Sequence, residues 1–125
     1  MVKGSITIRN REFKTTIYDG RTYIEPKLTG TVIGTVVHVA ETDEGWELLL
    51  LQESYHMIGF WVTVSKDEVK KYNLDEPEVN DPLRIDTLYR NSLDKDGRPY
   101  MIISMEYADD FYFDRTLFAD YCPIL

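Results

Sequence analysis

Residues Thr29 to Ser54 hold two apolar runs, Val32-Ile33-Gly34-Thr35-Val36-Val37 and Leu48-Leu49-Leu50-Leu51, each extended by flanking residues and joined across the polar stretch Thr42-Asp43-Glu44-Gly45. Both runs are too short for a pair of packed helices, and the first is rich in Val, Ile and Thr, so the segment reads as a β-hairpin. Gly45 is expected to take the positive φ that closes its short loop. Nothing else in the chain carries a comparable apolar run, so this hairpin is expected to form the spine of the core. A chain of 125 residues built on such a spine fits a single domain, residues 1–125, with a core large enough to need no disulfide or metal.

Before the hairpin, Ser5-Ile6-Thr7-Ile8, Phe13 to Tyr18 and Arg21 to Glu25 read as strands. The connections are Asn10-Arg11-Glu12 and Asp19-Gly20, the second a strong two-residue hairpin signal. Pro26 cannot donate to a ladder and ends this N-terminal β-meander, residues 1–28. After the hairpin, Ile58 to Val64 alternates, with Ile58, Phe60, Val62 and Val64 on one face and Trp61 and Thr63 on the other. Ser65-Lys66-Asp67-Glu68 is a capping box that opens a short helix near 65–73, followed by a polar, proline-punctuated loop from Asp75 to Pro82. Leu83 to Arg90 and Tyr100 to Tyr107 form a further strand pair. The predicted core contains Val36, Leu50, Phe60, Val62, Ile85 and Ile103.

Fourteen Lys and Arg stand against 22 Asp and Glu, a net charge of −8. The imbalance is uneven: residues 1–30 hold six basic and three acidic residues, and residues 31–125 hold eight and nineteen. Most of the chain therefore repels phosphate. The apolar runs fall well short of the roughly 20 residues that span a bilayer, and Met1 to Ile8 alternates like a strand rather than a secretory leader, so no membrane partner is expected. The lone Cys122 fits a reducing, cytoplasmic setting.

Chemistry-bearing patterns are sparse. A nucleophilic triad needs a nucleophile, a base and an orienting group, and His38, His56 and Cys122 share no signature. One Cys and two scattered His do not make a zinc site, and no glycine-rich phosphate cradle occurs. Asp94-Lys95-Asp96-Gly97 echoes a calcium loop, but the flanking positions that should carry carboxylates are Ser92 and Ile103. The chain reads as a non-enzyme with no cofactor and no metal.

The order hairpin, third strand, capped helix, polar loop and two strands, from about residue 30 to 107, resembles an OB-fold, a five-stranded Greek-key barrel with its helix between strands three and four. Gly34 would mark the bend of the first barrel strand, Gly45-Trp46 and Leu48 to Leu51 the second, and Val79 to Ile85 the entry to the fourth. An SH3-like barrel accepts the same pattern, so the expected class is mainly β, a single-domain antiparallel small barrel. With no enzymatic signature in the chain, two binding classes remain. Asp109-Asp110-Phe111-Tyr112-Phe113-Asp114, in the acidic and aromatic segment 108–125, combines three carboxylates with three rings and is the expected protein-binding site for a partner with a basic surface, an inhibitor or nucleic-acid mimic being one form of that role. The alternative is stacking of single-stranded nucleic acid on Trp46, Tyr55, Trp61 and Tyr89. Against it, residues 30–107 hold seven basic and fifteen acidic residues. A structural assembly subunit is the third class, and the oligomeric state is open.

Overall fold

The computed structural model describes residues 1–25, 30–52, 58–93 and 97–108. Tyr55 and the segment Asp109 to Asp114 lie outside the described residues. The fold is mainly β, as expected: β1 (Val2–Ile8), β2 (Arg11–Tyr18), β3 (Arg21–Glu25), β4 (Gly30–Glu41), β5 (Gly45–Gln52), β6 (Ile58–Ser65), α1 (Lys66–Lys71), β7 (Pro82–Tyr89) and β8 (Tyr100–Tyr107). These strands make one sheet in the order β1-β2-β3-β6-β5-β4-β7-β8.

The long strand β4 serves two neighbours with its two halves. Gly30 to Thr35 pair with β7, and Thr35 to Glu41 pair with β5. The change of partner needs a sharp bend, and Gly34 sits there. A Cβ at Gly34 would lie 3.0 Å from the Leu50 Cβ and 3.2 Å from the Leu51 carbonyl oxygen. A register shift between Val36 and His38 adds to the curl.

Curling gives the sheet apolar cover on both faces, which is why Leu48 to Leu51 is an unbroken run. Leu48 and Leu50 join Val36, Phe60, Val62 and Ile85 in the main core, while Leu49 and Leu51 join Tyr23 in a second cluster on the other face, with Trp61, Val37 and Tyr18 packed against it. The main-core side chains Val36, Leu50, Phe60, Val62 and Ile85 are fully buried, as expected.

Ile103 is a correction. The β7–β8 register shifts between Asp86, opposite Ser104, and Thr87, opposite Ile102, so Ile103 is one residue too many. The bulge breaks the alternation: Ile102 and Met105 face the core, and Ile103 is 50% exposed. Gly45 is another. It lies outside the left-handed region and is needed because a Cβ would sit 2.1 Å from the Val64 carbonyl oxygen. The first connection is also shorter than expected, with Arg9 (φ 51°) and Asn10 (φ 64°) as a two-residue turn. Asp19 (φ 51°) and Gly20 (φ 75°) form the second turn where the sequence placed it.

The antiparallel small barrel is corrected too: the strands form one mixed sheet that is not closed into a barrel. One edge of β6 is taken by β3, which runs parallel to it, with Ile24 opposite Ile58. β8 and the segment just before it reach β6 through side chains. Thr63 N–H donates to the Tyr100 hydroxyl at 2.8 Å, and the Arg98 guanidinium donates to the Thr63 carbonyl at 2.9 Å. Arg98 also forms a two-pronged pair with Glu68, at 2.8 and 3.2 Å. Glu68 is the capping-box residue of α1, accepting from Ser65 N–H at 2.9 Å, so one carboxylate holds both the helix start and the seam. Burial pushes the Tyr100 hydroxyl pKa up despite these contacts and keeps it protonated.

Candidate protein interface

The helix ends as its sequence dictates. Asn73 takes φ 56°, its N–H bonds the Lys70 carbonyl, and Leu74 N–H reaches back to the Val69 carbonyl at 2.9 Å. The chain then enters a loop, 75–81, that contains four acids, Asp75, Glu76, Glu78 and Asp81, and no basic residue. Short range contacts fix its shape. Asp81 accepts from Glu78 N–H at 2.9 Å, and Asp81 N–H returns to the Glu78 carbonyl at 3.2 Å. Asn80, at φ 81°, donates its N–H to the Val36 carbonyl at 2.7 Å, and Val36 N–H donates to the Asp81 carbonyl.

Pinned in this way to the bend of β4, the loop buries Pro77 and turns the Val79 side chain out, 53% exposed. Asp75, Glu76 and Glu78 are exposed around it. Tyr107, at the end of β8, accepts from Asp75 N–H at 3.2 Å, and Ala108 N–H donates to the Pro82 carbonyl. The result is an apolar contact point inside an acidic rim, beside the place where the chain leaves β8 toward Asp109. Sequence reasoning treated 75–82 only as a polar loop. The signal was present as a single Val between Glu78 and Asn80, but its exposure depends on the positive φ of Asn80.

Of the aromatic residues of the nucleic-acid alternative, the three that are described, Trp46, Trp61 and Tyr89, do not converge. Trp46 lies opposite Val64 in the main core and is 8% exposed, so its ring faces are occupied. Trp61, opposite Leu49, is half-buried on the other face. Its indole N–H donates to the Thr16 hydroxyl at 2.7 Å, the Lys3 ammonium lies 4.1 Å from its ring centre, and His38 meets it edge-on at 5.8 Å. Tyr89 is at the far end of β7, opposite Tyr100. The cation over Trp61 is Lys3, which comes from the meander.

Two carboxylates shift in opposite directions. Burial pushes Glu25 in β3 up, against the pull of Lys14 and Lys3. Burial also opposes ionisation of Asp86 in β7, yet hydrogen bonds from Ser104 and Thr31 and the charge of Arg84 outweigh it and hold the carboxyl below its usual range. Both positions are explained by strand neighbours. An open cleft lies at the β4–β5 turn, lined by Thr42, Asp43, Glu44, Thr63 and Arg98, and its one cation is the guanidinium already joined to Glu68.

Among the described residues no group of three His, Cys, Asp or Glu side chains is placed to hold a metal ion, and no helix is long and apolar enough to cross a membrane. No family model, curated protein or solved structure matches the chain.

Proposed function

We propose that the chain is a non-enzymatic acidic binding module that engages a protein through a basic surface on that partner. The observation that carries the reading is the exposed Val79 held within the acidic rim of Asp75, Glu76 and Glu78. An apolar anchor gives such a contact its short-range affinity, while the carboxylates around it accelerate encounter with a positive patch. The backbone of the loop is held by hydrogen bonds to Val36, Asp81 and Tyr107, so little backbone freedom is lost on docking. Asp109 to Asp114, which follows Ala108 in sequence, carries the same chemistry, with three acids and with Phe111, Tyr112 and Phe113 as further anchors of the proposed interface. A surface of this kind competes for grooves that bind nucleic acid, which makes inhibition or nucleic-acid mimicry one form of the proposal.

The strand pairings support an OB-like reading of residues 30–107. β4 bonds both β5 and β7, β6 follows β5, β8 follows β7, and α1 lies between β6 and β7. The single-stranded nucleic-acid alternative rests on Trp61 with Lys3 over its ring.

The test compares what the wild type and Val79→Ser, with and without Glu76→Gln and Glu78→Gln, retain from a host lysate at two salt concentrations. The proposal expects a basic protein on the wild type, about tenfold weaker retention by Val79→Ser, and weaker salt dependence for the acid variants. Equal retention by all the variants would remove loop 75–81 from the interface.

A further inference from the structure

The two outer strands of the sheet differ in how they end it. On β8 the bulge at Ile103 interrupts the ladder, a feature that discourages a further strand. On β1 no such device appears among the described residues. Val2 to Ile8 pair with Ile17 to Arg11 without a shift, and the strand contains no proline. Its one charged side chain, Lys3, is folded back over the Trp61 ring instead of standing guard at the rim.

The direction of the free backbone groups follows from the turn. Ile8 and Arg11 flank the two-residue turn at Arg9 and Asn10, so they form a closely hydrogen-bonded pair. Hydrogen bonding to β2 then alternates along the strand: Ile8, Ile6, Gly4 and Val2 bond to β2. The N–H and C=O groups of Thr7, Ser5 and Lys3 point away from it.

We infer that β1 pairs with the β1 strand of a second copy of this chain, antiparallel and centred on Ser5, to make one continuous sheet across a two-fold axis. The register argues for a copy of the same strand. About Ser5, every residue from Val2 to Ile8 finds a partner: Ser5 faces Ser5, Lys3 faces Thr7, Gly4 faces Ile6 and Val2 faces Ile8. The three outward-facing residues meet one another in hydrogen-bonded pairs, and a centre at Gly4 or Ile6 would leave one end of the strand overhanging. Side chains sort by face as well. Val2, Ile6 and Ile8 continue an apolar row that includes Ile17, and Val2 is 59% exposed in the single chain. Lys3, Ser5 and Thr7 share the polar face, and no like charges are opposed. Charge favours this end too. The net charge is −8, and residues 1–30 hold six basic and three acidic residues against eight and nineteen in residues 31–125, so joining two copies here keeps their acidic bodies apart.

Sedimentation of the full chain over a concentration series tests this. The wild type is expected to pass from monomer to dimer, and Ser5→Pro, which removes an outward N–H and leaves the β1–β2 ladder its bonds, is expected to weaken dimerisation at least about tenfold with unchanged melting. Position is read by oxidation in a Cys122→Ser background. Ser5→Cys should give a covalent dimer, since directly opposed Cα atoms about 5.5 Å apart are within disulfide reach. Thr7→Cys, whose counterpart is four positions away, should not. A wild type that stays monomeric at about 100 µM overturns the inference, since an interface of that strength would be weaker than about 5–6 kcal/mol. Equal cross-linking at positions 5 and 7 overturns the Ser5 register. Should Ser5→Pro melt early, the Cys pair still decides.

Discussion

The meander β1–β3 and the curled strands β4–β8 share one sheet, yet they are held by different means. In the curled part, Val, Leu, Ile and Phe side chains meet across a concave face, and a buried ion pair fastens the seam. In the meander, only Phe13 and Tyr23 are buried apolar residues, and Thr15 and Thr16 are buried beside them. Its order comes from two turns with both central residues at positive φ, from ladder hydrogen bonds, and from Trp61 donating to Thr16. Burial stabilises the first region by bulk, whereas the second depends on turn chemistry and a few polar contacts. A difference of this kind should appear as a difference in how damage spreads.

The largest effect is expected at Phe60, fully buried in the main core. Phe60→Ala should lower stability by about 3–5 kcal/mol in denaturant melts and weaken amide protection in both regions. A loss below about 1 kcal/mol would mean that this face does not carry the fold. Next is the seam. Arg98→Met leaves the largely buried Glu68 carboxylate without its cation and should cost about 3 kcal/mol, part of it recovered in Arg98→Met with Glu68→Met, where the loss of the Glu68 cap of α1 remains. Melting curves of the single and double variants check this, and full additivity would show that the pair is not coupled.

The smallest effect compares the two shifted carboxylates by pH. Glu25 has a folded pKa above its ordinary 4.5, so holding it ionised opposes folding at neutral pH, and that opposition fades as pH falls through the folded value. Glu25→Gln should therefore stabilise near neutrality and lose the advantage in acid. Asp86 has a folded pKa below its ordinary 3.8, so its contribution is present above that value and is lost as pH falls toward the folded one. Asp86→Asn should destabilise at neutral pH, with the deficit closing in acid. Melting temperatures from pH 7 down to about 3 check both signs, and parallel curves for the two variants would break the contrast.

Legibility in the sequence followed the range of the interaction. Ser65 and Glu68 announce α1 because a capping box is complete within four residues. Asp19-Gly20 announces its turn for the same reason. Ile103 was misassigned because alternation assumes an unbroken ladder, and the extra residue exists only relative to β7. The parallel contact of β3 with β6 and the meeting of Arg98 with Glu68 are likewise properties of paired segments. Gly45 was the right residue for the wrong reason, since its constraint comes from Val64 across the ladder and not from its own φ. At the proposed interface the acids could be counted in advance. The outward turn of Val79 depends on Val36 and Tyr107, both distant in sequence, fixing the loop around it.

The division of β4 between two neighbours has a consequence for the order in which the chain assembles. Glu41 meets Trp46 across a loop of a few residues, whereas Gly30 meets Thr87 across 57. In the loop-closure scaling, the second encounter costs about 2 kcal/mol more chain entropy than the first. The hairpin of β4 with β5 can therefore zip locally, while the other half of the same strand waits for a distant segment to arrive. One strand thus carries both a short local closure and one of the longest-range closures among the described residues, and Gly34 marks where the early half gives way to the late one.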